Sequence, residues 1–172
     1  MKVAVLGAGM VGRAMACDLA PDFEVHSFDY SMENLSMLRK LNPAIEITQA
    51  DLTDLGQYKN WFSGFDIIVI AVPGFMGFNT LKEVIRTGKP VADISFFPEN
   101  ALELDALAKE MNVTAITDIG VAPGMSNLIL GRWNREMKIK SFSCYVGGLP
   151  VVRSEPFQYK APFSPIDVIE EY

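Results

Sequence analysis

The sequence predicts a doubly wound α/β domain, a single parallel sheet with strand order 3-2-1-4-5-6 and helices on both faces, followed by the start of an incomplete second domain. Three observations carry this expectation. Strand-like and helix-like patterns alternate as far as Thr117. The stretch Asp66-Ile67-Ile68-Val69-Ile70-Ala71-Val72 is almost wholly apolar, as a central parallel strand covered on both faces must be. A glycine-rich turn joins the first strand to the first helix.

The elements follow in order. Lys2-Val3-Ala4-Val5-Leu6 is the first strand, and residues 9–20 form a helix ended by Pro21. Residues 23–28 are the second strand and 32–40 the second helix, with Ser31 or Asp29 as its cap. Residues 44–48 make a short third strand, and 54–62 a helix capped by Thr53 or Asp54. After the apolar fourth strand, Phe78, Leu81, Val84 and Ile85 recur at helical spacing. Residues 90–95 form the fifth strand, Leu104, Leu107, Ala108 and Met111 mark another helix, and 113–117 form the sixth strand. Beyond Thr117 the pattern changes: an apolar helix over 128–133, an alternating strand over 139–146, then a proline-rich tail without a clear period. The expected boundary places one domain at 1–134 and the beginning of a second at 135–172, too short a piece for an independent core.

The turn itself reads Gly7-Ala8-Gly9-Met10-Val11-Gly12. In the spacing G-x-G-x-x-G, after a strand and before a helix, Gly7 permits the tight turn, Gly9 lets the backbone approach a pyrophosphate, and Gly12 lets helix and strand pack closely. The free N–H groups around Met10 and Val11 and the helix dipole then face the anion. Asp29 ends the second strand at the distance where a carboxylate accepts the adenosine ribose hydroxyls. No Arg or Lys lies among Tyr30-Ser31-Met32-Glu33 to hold a 2′-phosphate, so NAD is favoured over NADP. This is the dinucleotide-binding pattern of a Rossmann domain.

Other candidates fall at strand ends, where open parallel sheets bind ligands. Val72, Pro73 and Gly74 either approach the nicotinamide half of the cofactor or form an ordinary strand-to-helix turn. Asp51 either meets the adenine or caps a turn with Thr53. Asp93 and Asp118 end the fifth and sixth strands and either face substrate as proton-handling carboxylates or cap loops. Pro123-Gly124 suits the first turn of a helix, and free N–H groups at Gly124, Met125 and Ser126 would make a second anion site.

Composition narrows the partners. Of 172 residues, 49% are hydrophobic and 21% charged, as in a globular protein with a sizeable core. A net charge of −6 with scattered Lys and Arg argues against nucleic acid. No apolar run approaches membrane-spanning length, and the short apolar start broken by Gly7 does not read as a signal peptide. Cys17 and Cys144 have neither C-x-x-C spacing nor a nearby ligand set, so no metal is expected and a reducing cytoplasm is. His26, the sole histidine, reads as a packing residue.

Asp118-Ile119-Gly120-Val121-Ala122-Pro123-Gly124-Met125-Ser126-Asn127-Leu128 closely resembles the D-x-G-x-x-P-G-x-S-N-L stretch of the saccharopine dehydrogenase family. Ala71-Val72-Pro73-Gly74-Phe75 and Val146-Gly147-Gly148-Leu149-Pro150 resemble segments of that family in the same order, and the lysine 6-dehydrogenase branch is the most similar. The resemblance implies an NAD(P)-linked oxidoreductase acting on a carbon–nitrogen bond of a small amino-acid substrate. In the lysine branch the ε-amine is oxidatively deaminated. The alternatives are a saccharopine-type reductase or a dinucleotide-binding fragment inactive by itself. By the resemblance, Val72 to Phe75 lie near nicotinamide. Asp93, Asp118, Gly147 and Gly148 lie near substrate, and Tyr159, Lys160 and Ser164 fall where the chain enters the substrate domain. Family members are longer and close a second domain over the cofactor, so this chain reads as truncated, and its unmatched Phe157, Phe163 and Ile166 suggest a homo-oligomer.

Overall fold

The computed structural model describes residues 1–147 and 150–154. Six parallel strands form one sheet: β1 (Lys2–Leu6), β2 (Glu24–Asp29), β3 (Glu46–Gln49), β4 (Ile67–Ile70), β5 (Val91–Asp93) and β6 (Ala115–Ile116). Their order is β3-β2-β1-β4-β5-β6, as expected. The helices between them are α1 (Met10–Leu19), α2 (Met32–Leu41), α3 (Tyr58–Phe62), α4 (Gly74–Arg86) and α5 (Asp105–Glu110). Short 3-10 turns, Leu55–Gln57 and Ala101–Leu104, lead into α3 and α5.

The alternation of side chains along β1 explains the two layers. Val3 and Val5 join Ala16, Val25, Leu35, Leu38 and Ile45 on the face covered by α1 and α2. Ala4 and Leu6 join Phe28, Tyr58, Phe62, Ile68, Ile70, Leu81, Val84 and Ile85 on the face covered by α3 and α4. Both faces are dry, so β1 and β4 must be apolar at every central position. Register brings the carboxyl ends of the strands to one edge: Leu6 lies beside Phe28 and Ile70, and Ile70 beside Asp93.

The chain divides into two compact units, Met1–Ile119 and one beginning at Gly120. Residue 134, the boundary expected from the sequence, lies inside α6 (Met125–Glu136) of the second unit. The strand expected over 139–146 is a correction: these residues, Cys144 included, form no strand. An alternating pattern supplies a face to bury but not a ladder, and no neighbouring strand exists for it among the described residues.

Candidate functional site

The glycine turn is built from three different constraints. Gly7 has φ +100°, and its N–H donates to the Phe28 carbonyl at 2.8 Å. A Cβ there would run into the carbonyl oxygen of Ala71, and a Cβ on Gly12 would run into that of Gly7. Both positions are seats for protein backbone. Gly9 differs: its backbone is extended (φ −63°, ψ −171°) and a Cβ would meet nothing within 4 Å. It caps α1, whose first helical bond runs from Arg13 N–H to the Gly9 carbonyl at 2.9 Å. The N–H groups of Met10, Val11 and Gly12 therefore have no partner within the helix. Open space in front of a helix N-terminus fits a pyrophosphate.

Asp29 holds this turn. One carboxylate oxygen accepts Ala8 N–H and the other Ser31 N–H, both at 2.6 Å. Ser31 in turn caps α2, its Oγ accepting Asn34 N–H at 3.3 Å. A carboxylate offers about four lone-pair positions, so Asp29 keeps capacity for ribose hydroxyls. Arg13, on the first turn of α1, reaches across to Met37 Sδ of α2 at 3.2 Å, a cation that inspection of the residues after Asp29 overlooked.

Asp51 takes the capping alternative. Its Oδ1 accepts both Thr53 Oγ at 2.6 Å and Thr53 N–H at 3.0 Å, the hydroxyl first and the amide second holding its pKa below the ordinary value. The buried Tyr58 hydroxyl anchors the same loop by donating to the Leu52 carbonyl at 2.7 Å, and burial pushes its pKa up to about 12.

At the other strand ends, Val72 is buried, and Pro73 leads into α4 at Gly74. A Cβ on Gly74 would run into the Phe96 carbonyl, so the space next to this glycine is filled by protein. Asp93 and Asp118 are sorted by exposure. Asp118, with φ +54°, is exposed. Asp93 is fully buried; Oδ1 accepts Ser95 N–H at 2.7 Å, and Oδ2 has no partner. Burial above all raises the Asp93 pKa to about 6; the Ser95 N–H and hydroxyl oppose the rise, and the charge of Asp118 adds to it. The Ser95 hydroxyl, also buried, has no hydrogen bond in proper geometry.

The second anion site is a correction. Met125 N–H donates to Gly120 at 2.9 Å and Ser126 N–H to Val121 at 3.4 Å, so those N–H groups are not free. The segment before α6 loops back, with Gly124 at φ +137°, and its own carbonyls cap the helix. A Cβ on Gly147 would meet nothing within 4 Å. Gly148, Tyr159, Lys160 and Ser164 lie outside the described residues. Among the described residues no cluster of His, Cys, Asp and Glu is placed to hold a metal. His26 is a packing residue, stacked on Phe28 at 4.6 Å, with burial lowering its pKa against the opposing pull of Glu46. A mainly apolar hollow of about 270 Å³ between α4, α5 and β6 lies toward the β6 edge of the sheet, away from the glycine turn that follows β1.

One signal went unread in the sequence: Asp-x-Ser or Asp-x-Thr occurs at Asp29, Asp51 and Asp93, each time at or just after a strand end, each time with the carboxylate accepting the N–H two residues on.

Residues 3–116 match the family model described as the saccharopine dehydrogenase NADP binding domain, and residues 120–172 match the saccharopine dehydrogenase C-terminal domain. The chain is 27% identical over 173 residues to a saccharopine dehydrogenase [NADP(+), L-glutamate-forming] of Pyricularia oryzae, covering 95% of this chain and 38% of that protein. It is 27% identical over 172 residues to the enzyme of the same name from Saccharomyces cerevisiae, with the same coverage of each. The solved apo histidine-tagged saccharopine dehydrogenase (L-Glu forming) from Saccharomyces cerevisiae superposes with a TM-score of 0.69 at 25% identity, covering 78% of this chain and 31% of that one. The chain thus spans well under half the length of these relatives.

Proposed function

The chain belongs to the saccharopine dehydrogenase family, and we propose that it supplies the dinucleotide-binding half of an oxidoreductase acting on a carbon–nitrogen bond of an amino acid. The observation that carries this reading is the Gly7–Gly12 turn clamped by Asp29, with open space at Gly9. Met10, Val11 and Gly12 N–H groups hold the pyrophosphate, Asp29 the ribose, and the Asp51 loop lies toward the adenine. The turn of Val72, Pro73 and Gly74 lies toward the nicotinamide half in this reading, with the Cβ side of Gly74 packed on the Phe96 carbonyl. When bound, the nicotinamide ring accepts or delivers hydride.

Asp118 is the proton-handling carboxylate of this reading: it is exposed at a strand end, whereas Asp93 is enclosed. In deamination of L-lysine at the ε-amine, hydride would pass from the ε-carbon to the bound nicotinamide, Asp118 or water would take the amine proton, and water would hydrolyse the imine to the aldehyde with release of ammonia. The saccharopine-type alternative is favoured by the names of the relatives, which are L-glutamate-forming. The cofactor is NAD in this reading, because Asp29 places negative charge where a 2′-phosphate would sit; the relatives' names carry NADP(+) and Arg13 is the nearby cation that would serve it. The setting is cytoplasmic and the assembly a homo-oligomer in the same proposal; no helix among the described residues is long and apolar enough to cross a membrane.

The test has two steps. Fluorescence titration with NADH and NADPH measures each affinity, and failure to bind either overturns the reading. Reduced-cofactor absorbance is then followed with L-lysine alone, with L-lysine plus a keto acid, and with saccharopine. Turnover with L-lysine alone supports deamination, glutamate release from saccharopine supports the alternative, and binding without turnover supports a dinucleotide-binding piece.

A further inference from the structure

We propose that Asp93 is a positioning residue for the nicotinamide end of the cofactor: its buried carboxyl fixes the segment Ser95-Phe96-Phe97 against the first turn of α4, and so sets the Val72-Pro73-Gly74 turn. The proposal rests on the dinucleotide-binding reading above and deepens it.

The chain of contacts is continuous. Asp93 Oδ1 takes Ser95 N–H at 2.7 Å, bending the chain as it leaves β5. Ile94 N–H is held by the Ile70 carbonyl at 3.1 Å, which ties the same bend to the end of β4. From that bend the Phe96 carbonyl presses onto Gly74, where no Cβ could fit. At Gly77 an added Cβ would lie 2.6 Å from Phe97 Cδ1 and 2.8 Å from Ser95 Cβ. The Phe97 ring also meets Phe78 edge-on, with centroids 5.8 Å apart. Gly74 and Gly77 thus form a seat on α4 that only this segment fills, and Asp93 sets how the segment enters it.

Two observations separate this from a catalytic role. Asp93 is fully buried, so no substrate atom reaches it, while the second carboxylate, Asp118, is exposed. The Asp93 Oδ2 and the Ser95 hydroxyl are buried without partners, as are the hydroxyls of Ser27 and Thr80, but Asp93 and Ser95 place two such groups on one turn, one of them a carboxylate oxygen. Burial above all raises the Asp93 pKa to about 6, with the Asp118 charge acting in the same direction and Ser95 against it.

The experiment compares NADH, NADPH and ADP-ribose, which lacks the nicotinamide, by titration of the full chain. Asp93→Ala orphans the Ser95 N–H, and the affinity for the preferred reduced dinucleotide should fall about tenfold while ADP-ribose binding stays within about twofold. Asp93→Asn retains an acceptor for Ser95 and should restore dinucleotide affinity to within about threefold of the parent. Gly77→Ala, which displaces Phe97 from the other side, should reproduce the Asp93→Ala pattern and serves if Asp93→Ala does not fold. Equal losses for dinucleotide and ADP-ribose, an unaffected Asp93→Ala or Gly77→Ala, or an Asp93→Asn as weak as Asp93→Ala each overturns the proposal. If the parent chain binds ADP-ribose but Asp93→Ala loses nothing, only this inference falls; if the parent binds none of the three, the dinucleotide reading falls with it.

Discussion

Asp29-Tyr30-Ser31 closes β2 and Asp93-Ile94-Ser95 closes β5, and in each the aspartate accepts the serine N–H, at 2.6 and 2.7 Å. The second carboxylate oxygen makes the difference. In Asp29 it meets Ala8 N–H at 2.6 Å and pins the glycine turn; in Asp93 it meets nothing and is sealed inside. The neighbouring glycines part company in the same way. Gly9 faces open space, while Gly74 and Gly77 are filled by Phe96, Phe97 and Ser95. At one end of the sheet edge the glycine faces open space, and at the other the chain itself fills the space. The same local hydrogen bond therefore pins an open turn at β2 and closes a filled one at β5, and what decides between them is the tertiary neighbour.

The contrast is most sharply broken at Gly12. Gly12→Ala forces a methyl into the Gly7 carbonyl, an overpacking that costs about 3 kcal/mol and should weaken dinucleotide binding roughly 100-fold. Calorimetry with NADH and NADPH reads the loss, and undiminished binding would remove the turn as the site. The next effect belongs to Asp93 and is one of stability. Its folded pKa of about 6 lies above the ordinary 3.8, so the folded chain holds this proton more tightly than the unfolded one. Its contribution is then most favourable below about pH 4 and is lost as pH rises through about 6. At roughly 1.4 kcal/mol per pKa unit, the charged form costs on the order of 2–3 kcal/mol. Asp93→Asn should therefore be more stable than the parent by about that amount at pH 7.5 and nearly equal to it at pH 4. Urea unfolding at the two pH values checks this, and a difference independent of pH refutes the buried charge.

Much of this was legible in the sequence, and the boundary is physical. The sheet order could be read because each strand's alternation and each helix's spacing are local properties that short crossovers then constrain. The glycine turn could be read because its spacing is local and Gly12 seats on the carbonyl of Gly7 five residues back, although the Ala71 carbonyl that excludes a side chain at Gly7 is distant in sequence. The 139–146 strand failed because a ladder needs a partner that the pattern does not name. Gly74 reads as a place for close approach to the nicotinamide or as an ordinary turn, and no local rule says that the Phe96 carbonyl packs against it. Asp93 and Asp118 are the same residue at or just past strand ends, and nothing local says that one is buried and the other exposed. The N–H groups of Met125 and Ser126 were taken by carbonyls of Gly120 and Val121, a loop closure that proline and glycine permit without specifying.

Gly9 offers the cleanest separation of binding from folding. Its dihedrals are open to any residue and its Cβ position is empty, so Gly9→Ala should change stability by no more than about 0.5 kcal/mol. The same methyl would stand in the proposed pyrophosphate seat and should lower NAD(P)H affinity about tenfold. A variant that folds and binds like the parent would mean that the open space is not a ligand seat. Gly77→Ala supplies the contrast, since a methyl there has no space and stability must fall with it.

The smallest expected effect bears on which dinucleotide is used. Asp29→Asn keeps one oxygen acceptor but presents an NH2 to either Ala8 or Ser31, so one of the two 2.6 Å bonds is lost. That should cost about 1 kcal/mol of stability. It also removes the negative charge that disfavours a 2′-phosphate. If Asp29 selects NAD through the ribose hydroxyls, NADH affinity should fall about fivefold while NADPH affinity holds or improves. If the aspartate serves only to pin Ala8, both affinities should fall together. Arg13→Ala completes the comparison: a selective loss of NADPH binding would place the guanidinium beside α2 in service of the phosphate, and would turn the preference inferred from Asp29 toward NADP. The two substitutions move the two cofactors in opposite directions only if the carboxylate and the guanidinium compete for one position on the adenosine ribose.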